Sequence, residues 1–226
     1  MPPQSPLELF WISGSPYAWR VQLALEVKRL PYASRLLDAS KGDLKTPQYL
    51  ALNPRGQAPT LKDGDDVLTE SLAILVYLDR KYPQAPLFGA DARESARIWR
   101  LISEYLSYLD RPAGRVITPI YSGKIAENRD DIRAAVPRVH AELALLEGNL
   151  GAAPWLGGDA LCAADLAIYP FIKSLLRAAG KEAATPLDLG LLPFEARYPR
   201  LAAWAGRVEQ LPGYEHTYPP HWRRQP

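Results

Sequence analysis

The first eighty-odd residues alternate between two hydrophobic periods, and that alternation restricts the fold more than any other feature of the chain. Leu7 to Ile12 is an apolar-rich run of strand length, and Ala18 to Arg29 keeps a helical period with Val21, Ala24, Leu25 and Lys28 on related turns. Pro31 to Leu37 follows a turn and reads as a second strand. A strand–helix–strand order favours parallel pairing of the two strands. The polar segment from Asp38 to Leu52 holds a short helix, with Thr46 as cap and Pro47 at its first position. Thr60 to Lys62, the turn Asp63-Gly64-Asp65 and Val67-Leu68 read as a β-hairpin. Thr69 is then read as the cap of an apolar helix through Leu72 to Leu78. Ser71 falls in its first turn, where a backbone N–H is open to an anion. The order is β-α-β-α-β-β-α, and the sheet must be mixed.

The pattern changes after that helix. Arg80 to Gly89 is broken by Pro83 and Pro86, which places a linker at 83–90 between domains at 1–82 and 91–226. The second domain reads as all-helical. Asp91-Ala92-Arg93-Glu94 suits a capping box, and Ala96, Trp99, Leu101, Ile102, Tyr105, Leu106 and Leu109 form an apolar surface behind it. Pro112 and Pro119 are expected to kink or interrupt that segment. Further helices are expected over roughly Ala126 to Leu150, Leu166 to Ala179 and Phe194 to Gln210. The tail from Pro212 to Trp222 is rich in aromatic residues and prolines, and is read as packing back across the second domain.

Composition removes several function classes. The 226 residues carry 27 Lys and Arg against 25 Asp and Glu, a balance that argues against a nucleic-acid partner. No run is apolar enough for a membrane span, and Met1 to Pro6 lacks the pattern of a signal peptide. The single cysteine, Cys162, rules out an internal disulfide and any multi-cysteine metal site, so no metal is expected. Its apolar neighbours point to a buried structural thiol.

The chemistry centres on Trp11-Ile12-Ser13-Gly14-Ser15-Pro16-Tyr17-Ala18-Trp19-Arg20-Val21. Ser15 suits a helix cap and Pro16 a first helical position. A hydroxyl there lies in the positive field of the helix terminus, which favours a neighbouring anion such as a thiolate. No histidine or acid in this segment suggests a Ser-His-Asp triad; the three histidines are His140, His216 and His221.

Three patterns in the first half together resemble the cytosolic glutathione S-transferases. Ser-Pro-x-x-x-Arg-Val at Ser15 to Val21 is similar to the catalytic-serine loop of the serine-type classes, with tau-like and zeta-like features. Asn53-Pro54-x-x-Gln57-x-Pro59-x-Leu61 is similar to the loop that carries their cis-proline. Glu70-Ser71-x-Ala73-Ile74-x-x-Tyr77-Leu78 is similar to the segment that reads the glutamyl end of glutathione. In the second half, Trp155 to Leu166 and Tyr198-Pro199-x-Leu201-x-x-Trp204 are weaker matches. Relatives place Ser or Thr at the position of Cys162 and retain the aspartate found here as Asp165.

The resemblance implies a thioredoxin-like α/β domain (βαβαββα) followed by an all-α helical domain, and a cytoplasmic homodimer. It implies glutathione as substrate. Ser15 would donate to the glutathione sulfur and favour the thiolate, without itself attacking. Ser13 is a weaker alternative. Ser71 suits the glutamyl carboxylate and Glu70 the ammonium. Ala58, before a cis Pro59, would pair with the cysteinyl backbone. Lys45 and Gln57 would approach the glycyl end. Arg20 is assigned a structural ion pair. The electrophile site is expected between the domains, drawn from Trp11, Tyr17, Tyr105, Tyr108, Arg111 and Arg115. The activity implied is thiolate attack on an electrophile, or peroxide reduction. A maleylacetoacetate isomerase is the alternative enzyme, weakened because Ser15-Pro16-Tyr17 stands where that class has Ser-Ser-Cys. A ligand-binding or protein-interaction module without turnover is the alternative outside catalysis.

Overall fold

The computed structural model describes residues 7–151 and 153–223. The expectation placed on Met1 to Pro6 lies outside those residues. The chain divides into two compact units, one of residues 1–87 with 211–226 and one of residues 88–210.

The first unit is a four-stranded sheet with helices. Strand β1 (Leu7–Ile12) leads into α1 (Pro16–Val27), then β2 (Tyr32–Leu37), the short α2 (Pro47–Leu52), β3 (Thr60–Asp63), β4 (Asp66–Thr69) and α3 (Ser71–Lys81). The strand order is β2-β1-β3-β4. β1 pairs with β2 in parallel, Leu9 opposite Ser34, and with β3 antiparallel, Leu9 opposite Leu61. β3 and β4 close the hairpin antiparallel. The mixed βαβαββα sheet is therefore the expected one. Along β1 the side chains alternate, so Leu7, Leu9 and Trp11 are buried while Glu8, Phe10 and Ile12 are partly exposed.

Two local expectations shift. Thr69 is not the cap of α3, because it is spent as the last partner of β4, opposite Thr60. Glu70 occupies the N-cap position instead, at φ 66° and ψ 108°, with no side-chain capping bond. The aromatic tail, read as covering the helical half, belongs to the first unit. Trp19 of α1 donates from Nε1 to Thr217 Oγ1 at 2.8 Å, and its ring lies against Tyr214, Tyr218 and Trp222. α1 also packs on α3. With neighbours on both sides, every residue from Ala18 to Leu25 is buried, Arg20 and Gln22 included.

The exit from α3 is fixed by a buried cation. Lys28 Nζ donates to the carbonyls of Tyr82, Gln84 and Ala85 at 2.8, 3.0 and 3.0 Å and lies 3.6 Å from Asp79. Asp79 in turn accepts from the Leu87 N–H at 2.6 Å. The segment read as a linker up to Leu87 is thus tied to the first unit.

The second unit is helical, as expected. Helix α4 (Ala92–Glu104) is capped by Asp91, whose Oδ1 accepts from Glu94 N at 2.8 Å. Glu94 reaches back to Ala90 N rather than to the cap residue. A π-helical turn, Tyr105–Asp110, joins α4 to α5 (Arg111–Ser122). Pro112 has no N–H to give to the preceding turn, which accounts for a widened helix there rather than a break. α6 (Arg129–Asn149) and α7 (Ala163–Ala179) run through Pro137 and Pro170. The last expected helix is split into α8 (Phe194–Arg197) and α9 (Pro199–Glu209). Tyr198 precedes a proline and leaves the helical region, at φ −130° and ψ 66°. Among the described residues no helix is long and apolar enough to cross a membrane.

Candidate functional site

The strand-to-helix turn after β1 presents Ser15. The Ser15 N–H donates to the Ile12 carbonyl at 3.3 Å, and Gly14 sits at φ +81° between them. That conformation favours glycine. Ser15 Oγ accepts from Ala18 N at 3.3 Å, so the serine does cap α1. A hydroxyl has two lone pairs and one proton, so this cap leaves the O–H able to donate. Capping and donation to a sulfur are compatible in one side chain.

Two residues further, Tyr17 borders a cavity of about 270 Å³ whose other walls are Asn53, Gln57, Ala58, Pro59, Glu70 and Ser71. The three sequence patterns, from the start of α1, the loop before β3 and the start of α3, therefore meet at one place. Ala58–Pro59 is a cis peptide bond. The loop before it is held by a buried network. Tyr49 Oη donates to the Gln57 carbonyl at 2.6 Å and Asn53 Nδ2 donates to the same carbonyl at 2.7 Å. Thr60 Oγ1 takes a second bond from Asn53 and shares one with Tyr49. Burial pushes the Tyr49 phenol up, so it stays protonated and able to donate.

Ser71 begins α3, where free N–H groups and the helix dipole favour a carboxylate. Arg20 Nη1 approaches Ser71 Oγ at 3.5 Å, and its guanidinium lies 5.1 Å from the Tyr17 ring centre. Arg20 thus stands behind two cavity residues, which adds positive charge on the side where a carboxylate would bind. Sequence reading placed it in a structural pair and missed this position. Glu70 holds a left-handed backbone that costs an ordinary side chain about 1–3 kcal/mol, a type of strain that gathers at ligand sites.

The remaining candidates separate. Ser15 stands outside the cavity lining, at the turn before Tyr17. Lys45 is exposed at the end of a short 3-10 turn, with Nζ beside Gly56, the neighbour of Gln57. Trp11 does not face the Tyr17 cavity. It is buried, donates from Nε1 to Ser34 Oγ at 2.8 Å, and borders a different cleft with Glu26, Tyr32 and His216. It sits on the opposite register of β1 from Phe10 and Ile12, which fixes that direction.

In the second unit, Tyr108, Arg111 and Arg115 share one cavity of about 410 Å³ with Arg138 and Glu142. The expected shared face therefore survives Pro112. Tyr105 is core-packed at 3% exposure, its ring edge-on to Phe171 and its hydroxyl donating to Asp110 Oδ1 at 3.3 Å. Sequence reading named Asn53 only as part of a motif and Ser13 only as a weaker donor; Asn53 holds the Gln57 carbonyl, and Ser13 Oγ shares a 2.6 Å hydrogen bond with His221 Nδ1.

Comparison with known proteins agrees with both units. Residues 9–86 match the family model for the glutathione S-transferase N-terminal domain, and residues 128–207 that for the C-terminal domain. Glutathione S-transferase A of Pleuronectes platessa is 31% identical, over 97% of this chain and 94% of its own length. Human glutathione S-transferase theta-2B is 34% identical, over 92% and 83%. The crystal structure of a glutathione S-transferase from the Antarctic clam Laternula elliptica superposes with a TM-score of 0.79 at 27% identity, over 98% of this chain and 95% of that one. On motifs, fold and relatives alike, the chain belongs to the glutathione S-transferase family.

Proposed function

We propose that the first unit binds glutathione and that Ser15 stabilises its thiolate for attack on an electrophile. The observation that carries this reading is the convergence of Tyr17, Gln57, Ala58, cis-Pro59, Glu70 and Ser71 on one cavity beside the Ser15 turn. The glutamyl carboxylate takes the Ser71 N–H and hydroxyl at the α3 terminus, with Arg20 behind. Glu70 takes the ammonium. Ala58 pairs with the cysteinyl backbone, and Gln57 and Lys45 lie toward the glycyl carboxylate.

A free thiol ionises near pH 8.5 and is mostly protonated at neutral pH. Donation from Ser15 favours the anion. The thiolate electron pair then forms the S–C bond while the carbon–leaving-group bond breaks, and the leaving group departs with its electron pair. With a peroxide, two glutathione thiols form one disulfide while the O–O bond is cleaved to alcohol and water. Tyr108, Arg111 and Arg115 are proposed to read the second substrate, and their charge favours an anionic electrophile.

The direct test is thiolate absorbance of bound glutathione against pH. Ser15→Ala should raise the thiol pKa by about one unit or more, equivalent to a tenfold drop in the ionisation constant. An unchanged titration would remove Ser15 from the chemistry; loss of the site in the wild type would remove the whole reading. Arg111→Ala should raise KM for an anionic electrophile several-fold and leave a neutral one alone. Equal effects on both would argue against a charge-reading role. A cytoplasmic homodimer is proposed on the same resemblance, and light scattering at twice 25.1 kDa would bear out the dimer.

A further inference from the structure

We infer that the C-terminal tail is part of the thiolate machinery, with His221 as a positioning residue that holds the Ser13-Gly14 turn and thereby the Ser15 hydroxyl. The inference rests on the Ser15 reading above and extends it to a residue more than two hundred positions away in sequence.

The turn that presents Ser15 has anchors on three sides. Its entry is β1, fixed in the sheet between β2 and β3. Its exit is α1, where Trp19 N donates to the Ser15 carbonyl at 2.9 Å. Its outer side is closed by the tail. His221 Nδ1 shares a 2.6 Å hydrogen bond with Ser13 Oγ. A Cβ on Gly14 would stand 2.7 Å from His221 Cε1 and 3.3 Å from Trp222 Nε1, so the imidazole and indole rest directly on the glycine backbone. Ser13 and Gly14 are the two central residues of the Ile12–Ser15 turn. The peptide between them can rotate unless something outside the turn opposes it.

The tail is itself firmly seated. Trp222 is 7% exposed and packs edge-on against Trp19 with ring centres 5.3 Å apart. Thr217, 1% exposed, accepts from Trp19 Nε1 and donates to the Tyr214 carbonyl at 2.8 Å. One residue, Trp19, therefore anchors the tail on the same helix whose N-terminus Ser15 caps. A hydrogen-bond donor to a developing thiolate acts best when its position is fixed before the ligand arrives. Ser13 then serves the site through His221 rather than as a donor to the sulfur. His221 does not act on glutathione directly.

The test uses full-length protein and thiolate absorbance of bound glutathione, with glutathione affinity measured alongside. His221→Ala should raise the thiol pKa by about half a unit, a threefold drop in the ionisation constant, while the affinity stays within about twofold. His221→Asn, which keeps a polar atom at the Nδ1 position, should restore most of the shift. Ser13→Ala should match His221→Ala, and the double variant should add nothing further. An unchanged pKa in His221→Ala beside a raised one in Ser15→Ala would overturn the positioning role and leave the Ser15 reading intact. A shift in Ser13→Ala larger than in Ser15→Ala would also overturn it, by making Ser13 the donor. If Ser15→Ala itself leaves the titration unchanged, both readings fall. Loss of glutathione binding in His221→Ala without rescue by Asn would mark a merely structural contact and overturn the proposal.

Discussion

At the scale of single residues, Cys162 is the sharpest departure from what its position asks for. It opens α7, where a hydroxyl is the usual cap. Asp165 supplies the missing partner. Its carboxylate accepts from Cys162 N at 2.9 Å, Cys162 Sγ at 3.1 Å, Leu156 N at 2.9 Å and Trp204 Nε1 at 2.8 Å. Burial, and then the Asp165 carboxylate, push the Cys162 thiol up. Folded protein should therefore resist a thiol reagent at pH 8 that modifies the unfolded chain at once; rapid modification of the native state would contradict this. A thiol raised on folding stabilises the fold fully below its unfolded value, about pH 8.5, and loses that contribution as pH climbs above it. Urea melts of wild type should thus weaken between pH 7 and 10 by more than those of Cys162→Ser. At pH 7 the serine variant should match or exceed wild type by up to about 1 kcal/mol, because serine is the better cap.

At the scale of elements, Lys28 ties α1 to the end of α3. Its side chain is fully buried and its charge is answered by three carbonyls and Asp79. Burial pulls its pKa down while Asp79 opposes the shift. Asp79→Ala should cost about 3 kcal/mol, the low end for breaking a buried pair, since the carbonyls remain. Asp79→Asn should cost less, because it keeps an acceptor for Leu87 N. In Asp79→Ala the lysine is pulled down further and sheds its proton earlier. The deficit should therefore narrow as pH rises toward the ordinary lysine value of about 10.4. A deficit that is flat with pH would mean that Lys28 has found another counter-charge.

The same elements mark what the sequence could and could not disclose. The strands and α1 to α3 follow from local periods and turn residues, so they were legible; the meeting of the Ser15, Pro59 and Ser71 patterns was implied by the family resemblance alone. Lys28 was placed on the buried face of α1, but nothing local named the carbonyls that it serves. Glu70 replaced Thr69 at the start of α3 because pairing in β4 outweighed capping, a contest decided between two elements. Trp11 was grouped with Tyr17 by the resemblance, whereas the strand register turns it to a different cleft. The bond between Ser13 and His221 spans 208 positions and leaves no trace in either segment.

At the scale of the whole molecule, the two family models cover 9–86 and 128–207, so the aromatic tail lies outside both. The first unit nevertheless closes around it, since Trp19 is 1% exposed only with Tyr214, Thr217, Tyr218 and Trp222 in place. A chain ended after Gln210 would bare that indole and leave its N–H without Thr217. Losing the packing around one large buried aromatic residue costs about 3–5 kcal/mol. At about 4–8 °C per kcal/mol for a unit of roughly 100 residues, the first unit should melt at least about 12 °C lower. The helical residues 88–210 keep all their own contacts, so the loss should fall on one unit. Hydrogen exchange should quicken in α1 and β1 and stay unchanged in α7. Uniform quickening across both units, or none in α1, would show that the tail does not complete the first unit. The distinction bears on chemistry, because the α1 terminus that would loosen is the one that carries Ser15.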